Sequence, residues 1–116
     1  MEESISKEII RGHTATIILN ILSQGDSYGY EIYKHILVLS ENRYELKEAT
    51  LYTVFKRLEK EESIESYWGD ETQGGRRKYY RITDSGKRVL EEHRRSWRFA
   101  KEIIEILING EIKENE

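Results

Sequence analysis

Residues 48–81 read EATLYTVFKRLEKEESIESYWGDETQGGRRKYYR. Over residues 48–61 the pattern is helical. Leu51, Val54, Phe55 and Leu58 fall on one side of the wheel, while Ala49, Thr53, Lys56 and Lys60 fall on the other, flanked by Thr50, Tyr52 and Arg57. The period then drops to two: Ile64 to Trp68 and Lys78 to Ile82 alternate as strands do, with Gly69-Asp70 and Gly74-Gly75 as turn residues between them. A helix with a polar and basic outer face, followed by a hairpin with an arginine-rich tip, outlines a winged helix-turn-helix. Lys47 stands where a capping Ser or Asn is expected, which weakens the cap without altering the pattern.

Upstream, Ile10, Ile17, Ile18, Ile21 and Leu22 predict a first helix over about residues 5–22. Gly25 suits a helix C-terminal turn, and Asp26 or Ser27 suits the next N-cap. A second helix follows over about residues 28–39, with Ile32, Ile36 and Leu39 expected in the core, and residues 40–47 form the turn. Downstream, Thr83 caps a last helix from Asp84 to about Asn109, with Asp84 favourably placed near its positive end. The expected class is mainly α with a two-stranded β wing: a winged helix-turn-helix plus a C-terminal dimerisation helix. Its parts are a DNA-binding domain over residues 1–83, the dimerisation helix over 84–110 and a frayed tail over 111–116.

Composition narrows the function. With 116 residues there is room for one domain and no separate catalytic unit. The absence of cysteine removes disulfides and zinc-thiolate sites. No apolar run is long enough to span a bilayer, and the acidic start Met1-Glu2-Glu3 is unlike a signal peptide, so the expected location is cytoplasmic with no membrane partner. A net charge of −3 looks unfavourable for nucleic-acid binding, but the distribution is uneven. Arg76, Arg77, Lys78 and Arg81 crowd the second wing strand and Lys56, Arg57 and Lys60 the helix before it, whereas acids gather at Glu2, Glu3 and from Glu102 to Glu116. A basic patch of this kind is either a solvated face or a grip on phosphate.

The last helix carries Leu90, His93, Trp97, Ala100, Ile104 and Leu107 at alternating spacings of three and four, the seam of a helix that packs on another helix. A homodimer covers such a stripe; so does a helix folded back on its own domain. His13, His35 and His93 are scattered, and no phosphate-cradling loop or nucleophile elbow is present, so no catalytic residue, metal site or cofactor is expected.

Gly-Tyr-Glu-Ile at 29–32, Glu-Ala-Thr-Leu-Tyr at 48–52, Arg57-Leu58-Glu59, Gly74-Gly75-Arg76 and Lys78-Tyr79-Tyr80-Arg81-Ile82-Thr83 resemble, in order and spacing, the motifs of the PadR family of bacterial transcriptional regulators. The single short C-terminal helix resembles the small subfamily, including its multidrug-binding repressors. The resemblance implies a dimer formed through the first and last helices, and repression of transport or detoxification genes, often including the regulator's own. Double-stranded DNA carrying a near-palindromic operator is the implied partner. Thr50, Tyr52 and Thr53 then face base edges or phosphates, while Lys56, Arg57, Arg76, Arg77 and Lys78 grip the backbone. Tyr79 and Tyr80 are read as packing residues ahead of a phosphate contact.

The same likeness implies a planar aromatic effector stacked on Trp97 at the dimer centre, in a pore lined by Ile9, Thr16 and Asn20. Core packing is the other reading of Trp97. Arg94 and Lys101 neighbour Trp97 on the helix surface. Their charge disfavours cationic compounds and favours neutral or anionic ones, or else it closes the pore by pairing with carboxylates such as Glu8. The competing function class is a winged helix used for protein interaction, without specific DNA binding.

Overall fold

The computed structural model describes residues 4–69 and 76–113. Its elements are α1 (Lys7–Ile10), a 3-10 turn (Arg11–His13), α2 (Thr14–Leu22), β1 (Ser27–Tyr28), α3 (Gly29–Leu39), α4 (Glu48–Lys60), β2 (Ile64–Gly69), β3 (Arg77–Ile82) and α5 (Asp84–Asn109). The turn positions Asp70, Gly74 and Gly75, and the acids Glu2, Glu3, Glu114 and Glu116, lie outside the described residues.

The core forms where the apolar stripes of α2, α3 and α4 meet the inner face of the sheet. Ile18, Leu19, Leu22, Ile32, Leu51, Phe55 and Leu58 are all but sealed from solvent, and each such side chain contributes roughly 1.5–3 kcal/mol through burial. Tyr80 of β3 stacks on Phe55 with ring centroids 4.1 Å apart, joining the sheet to α4. On the other face of β3, Tyr79 packs between Tyr28 and Tyr67 at 5.4 and 5.7 Å. Both tyrosines are thus packing residues.

Four expectations need correction. The first helix is not continuous: Arg11–His13 tightens into a 3-10 turn, where Gly12 lacks a side chain to pack and Thr14 donates its hydroxyl back to the Arg11 carbonyl. Neither Asp26 nor Ser27 caps α3. The cap position is the extended Tyr28, with no side-chain bond, while Asp26 accepts from the Tyr67 hydroxyl and Ser27 donates to Glu31. The wing is not an isolated pair of strands, because Ser27–Tyr28 adds to it and gives an antiparallel sheet ordered β1-β3-β2. Leu39 is 62% exposed rather than buried, since it lines an open groove at the end of α3.

Two helices end alike. After α3, Glu41 and then Asn42 adopt φ 54° and 62°, while the Asn42 amide bonds back to the Leu37 carbonyl at 2.8 Å. After α4, Glu62 adopts φ 62° while the Ser63 amide bonds to the Leu58 carbonyl at 2.9 Å. This is the left-handed helix stop usually built on glycine, here carried by glutamate.

The start of α5 is fastened to the end of α4. The Thr83 hydroxyl accepts from the Gly86 amide at 2.9 Å and shares its single hydrogen between the carbonyls of Glu62 and Ser63 at 2.7 and 3.1 Å. Gly86 sits so tightly against that turn that an added Cβ would lie 2.1 Å from the Ser63 carbonyl oxygen. Beyond Trp97, α5 leaves the body, with Phe99, Ile106, Leu107 and Ile108 more than half exposed. The radius of gyration is 17.6 Å, against about 13 Å for a compact chain of this size.

Candidate nucleic-acid interface

Helix α4 presents its outer face by elimination. Leu51, Val54, Phe55 and Leu58 are buried, so Thr50, Tyr52, Thr53, Lys56 and Arg57 are exposed on the remaining arc. Thr53 bonds its own helix at the Ala49 carbonyl, 3.2 Å away, which leaves the hydroxyl lone pairs free to accept. Tyr52 is held edge-on to Phe55 at 5.5 Å, and its hydroxyl lies over Gly29, where a Cβ would come within 2.6 Å. That contact is a physical reason for glycine before Tyr30-Glu31, and it locks the start of α3 against α4.

Strand β3 brings its basic residues to the same side of the molecule. Tyr28, Gly29, Tyr30, Tyr52, Trp68, Arg76, Arg77 and Lys78, with the single acid Glu48, line one groove of about 440 Å³ between the N-terminal part of α4 and the base of the wing. The Arg77 guanidinium lies over the Tyr28 ring at 4.5 Å, and the Lys78 ammonium is 5.7 Å from the Tyr80 ring centre. Arg76, Arg77 and Lys78 are all exposed. Arg81 is turned to other use: it bonds Glu65 at 3.0 Å, lies over the Tyr67 ring at 4.9 Å and reaches toward Asp26. The bond to Asp26 keeps the Tyr67 phenol protonated above its usual range. Trp68 and Tyr28 are additions that the sequence reading missed; their placement depends on strand register across the sheet.

A second groove, of about 480 Å³, runs between the first helical segment and α5. It gathers Ile9, Thr16, Asn20, Arg94 and Trp97 of the expected effector set, together with His13 and His93. The His13 ring meets Trp97 edge-on at 4.6 Å, and Thr16 shares a hydrogen bond with His93 at 2.9 Å. Arg94 donates to Asn20 and to Glu91, both at 2.6 Å, and so does not pair with Glu8. Lys101 is exposed one turn further along α5 and does not line the groove. Trp97 itself is 41% exposed, so it is not core within one chain.

Among the described residues no helix is long and apolar enough to cross a membrane.

Comparison with known proteins places this geometry. Residues 18–92 match the transcriptional regulator PadR-like family. A transcriptional regulator from Clostridium thermocellum superposes with a TM-score of 0.81 at 48% identity, covering 87% of this chain and 95% of that one. A PadR family transcription regulator from Clostridium difficile follows with a TM-score of 0.73 and 40% identity, covering 84% and 99%. An uncharacterized protein of Lysinibacillus sphaericus is 50% identical over 91% of this chain and 97% of its own. The chain belongs to the PadR-like family of DNA-binding transcriptional regulators, and is a regulator rather than an enzyme.

Proposed function

We propose that this PadR-like regulator acts as a homodimeric repressor whose two α4 helices read the half-sites of a near-palindromic operator. One observation carries the reading: Tyr52, at the edge of the exposed arc of α4, and the wing cations Arg76, Arg77 and Lys78 border one groove, so helix and wing address one duplex together. Thr50, Tyr52 and Thr53 approach base edges, while Lys56, Arg57, Arg76, Arg77 and Lys78 hold phosphates. Residues 1–83 form the DNA-reading unit. The helix over 84–110 pairs two copies, with the first helix joining that interface, and half-sites lie roughly 34 Å apart or a multiple of it. Expected targets are transport or detoxification promoters and the regulator's own.

The groove beside Trp97 supports an aromatic effector. Its polar lining is Arg94, His13, His93, Thr16, Asn20, Ser40 and Tyr44, a set with one cation and no carboxylate that favours neutral or anionic planar compounds over cations. Release from DNA requires that the ligand prefer a dimer geometry in which the two α4 helices no longer match the half-sites.

Two titrations test this. Binding to the protein's own upstream region should exceed binding to random duplex and fall linearly in log salt. Indifference to both sequence and salt would return the protein-interaction reading. Tryptophan fluorescence with neutral, anionic and cationic aromatics, wild type beside Trp97→Phe, tests the effector; the exposed Trp68 is the internal control. Quenching by a cation alone would overturn the charge preference.

A further inference from the structure

We infer that a second basic surface, built from Lys7, Arg11 and Lys47, grips duplex phosphates on the flank of α4 opposite the wing. The inference rests on the DNA reading above and adds residues which that reading does not use.

A groove of about 650 Å³ lies between the first helical segment and the turn preceding α4, lined by Lys7, Arg11, Thr14, Arg43, Lys47 and Thr50 among others. Lys7 and Arg11 are one helical turn apart and Thr14 continues the same face. The opposite face of that segment, with Ile9, Thr16 and Asn20, lines the groove beside Trp97. Lys7 and Arg11 thus lie outside the Trp97 groove, with Ile5, Ile10 and Tyr44 bordering both grooves. The position of the basic face is fixed, because the Ile5 amide donates to the Arg43 carbonyl at 3.2 Å and ties the start of the first segment to the turn.

The charges here are unspent. Lys7, Arg11 and Lys47 are exposed and form no ion pair among the described residues, in a chain with 22 acids against 19 bases. Glu45 is the one acid lining the groove against four cations, and it accepts a hydrogen bond from the Tyr33 hydroxyl, which raises the phenol's pKa. Arg43 is partly engaged by Glu41 at 3.1 Å.

The topology supplies the partner. Thr50 and Tyr52 lie two residues apart on α4, on opposed sides of the helix. Thr50 borders this groove and Tyr52 borders the wing groove. A helix seated in a major groove about 12 Å wide lies between two phosphate ridges. The wing meets one ridge; Lys7, Arg11 and Lys47 meet the other.

The test is fluorescence anisotropy of a labelled operator duplex and a random duplex across a salt series. It compares wild type, Lys7→Ala/Arg11→Ala, Lys47→Ala and Arg76→Ala, with circular dichroism of each. The double variant should keep its fold, bind both duplexes more weakly, and show a log–log salt slope shallower by about 1.8 per half-site, with about 0.9 for Lys47→Ala. Unchanged affinity and slope beside a weakened Arg76→Ala would overturn the inference and leave the DNA reading standing. A loss confined to the operator would overturn it too, because phosphate contacts are blind to sequence. A wild type without salt-dependent duplex binding would overturn both. A double variant that misfolds is replaced by Lys7→Gln/Arg11→Gln, judged by the same slopes.

Discussion

Helices α4 and α5 are both amphipathic, and they resolve that condition in different ways. On α4, Leu51, Val54, Phe55 and Leu58 are all buried within the chain, so its outer face is free to be polar and to meet a partner by charge. On α5, only Gly86 and Leu90 are buried, and the stripe from Trp97 to Ile108 stays open. Helix α4 completes its apolar packing within the chain; α5 does not. The lesson is that an apolar stripe identifies a packing surface, and its burial in the monomer says whether the partner is internal.

The contrast can be broken most forcefully at Phe55. Phe55→Ala should remove about 3–5 kcal/mol of unfolding free energy, read by chemical denaturation, because the ring is sealed between α4 and Tyr80. A loss below about 1 kcal/mol would mean that α4 is not anchored as described.

The matching change on α5 should act on association instead. Ile104→Lys with Leu107→Lys should weaken self-association by about 3 kcal/mol, roughly a hundredfold in dissociation constant by sedimentation, with the fold of the body retained. Collapse of the body would show that the stripe is covered within one copy.

Alkaline pH sharpens the α4 side further. Burial pushes the Tyr80 phenol from 10.0 up to about 12. The folded protein thus keeps a proton that the unfolded chain releases, and stability is complete below pH 10 and declines as pH rises toward 12. Denaturation midpoints across that window should show the slope in wild type and a smaller one in Tyr80→Phe.

The smallest expected effect lies at the end of α4. Glu62→Gly should raise stability by about 1 kcal/mol by relieving the left-handed backbone at φ 62°. A destabilised variant would show that the glutamate contributes more than the geometry costs.

What the sequence discloses follows the same local-versus-distant division. The α5 limits are legible from Thr83-Asp84 and Asn109-Gly110 because caps and helix breakers act within a turn. Strand β1 is not, since Ser27 and Tyr28 become a strand only through Tyr80 and Tyr79, about fifty residues away in the chain. The helix stops at Glu41 and Glu62 also escape notice, because glycine is the usual signal and neither site has one. Of the expected effector set, Ile9, Thr16, Asn20, Arg94 and Trp97 converge in one groove while Lys101 does not. Helical spacing gives neighbours on α5, but only packing shows where α2 stops accompanying it. The exposed positions Thr50, Tyr52, Thr53, Lys56 and Arg57 were readable because the buried face of α4 leaves them no other side.

The fastening of Thr83 and Gly86 to the Glu62–Ser63 turn has a mechanical consequence. Helix α5, about 39 Å long at 1.5 Å per residue, is held by that clamp and by its packing on α2 as far as Trp97, which leaves a stiff arm of about 18 Å beyond the body. A tilt of about 5° at the clamp corresponds to roughly 3 Å at the far end, so the arm converts small rotations into large displacements and the reverse. A load on the tip of α5 therefore bears on the Glu62–Ser63 turn that ends α4, where Gly86 makes the closest fit.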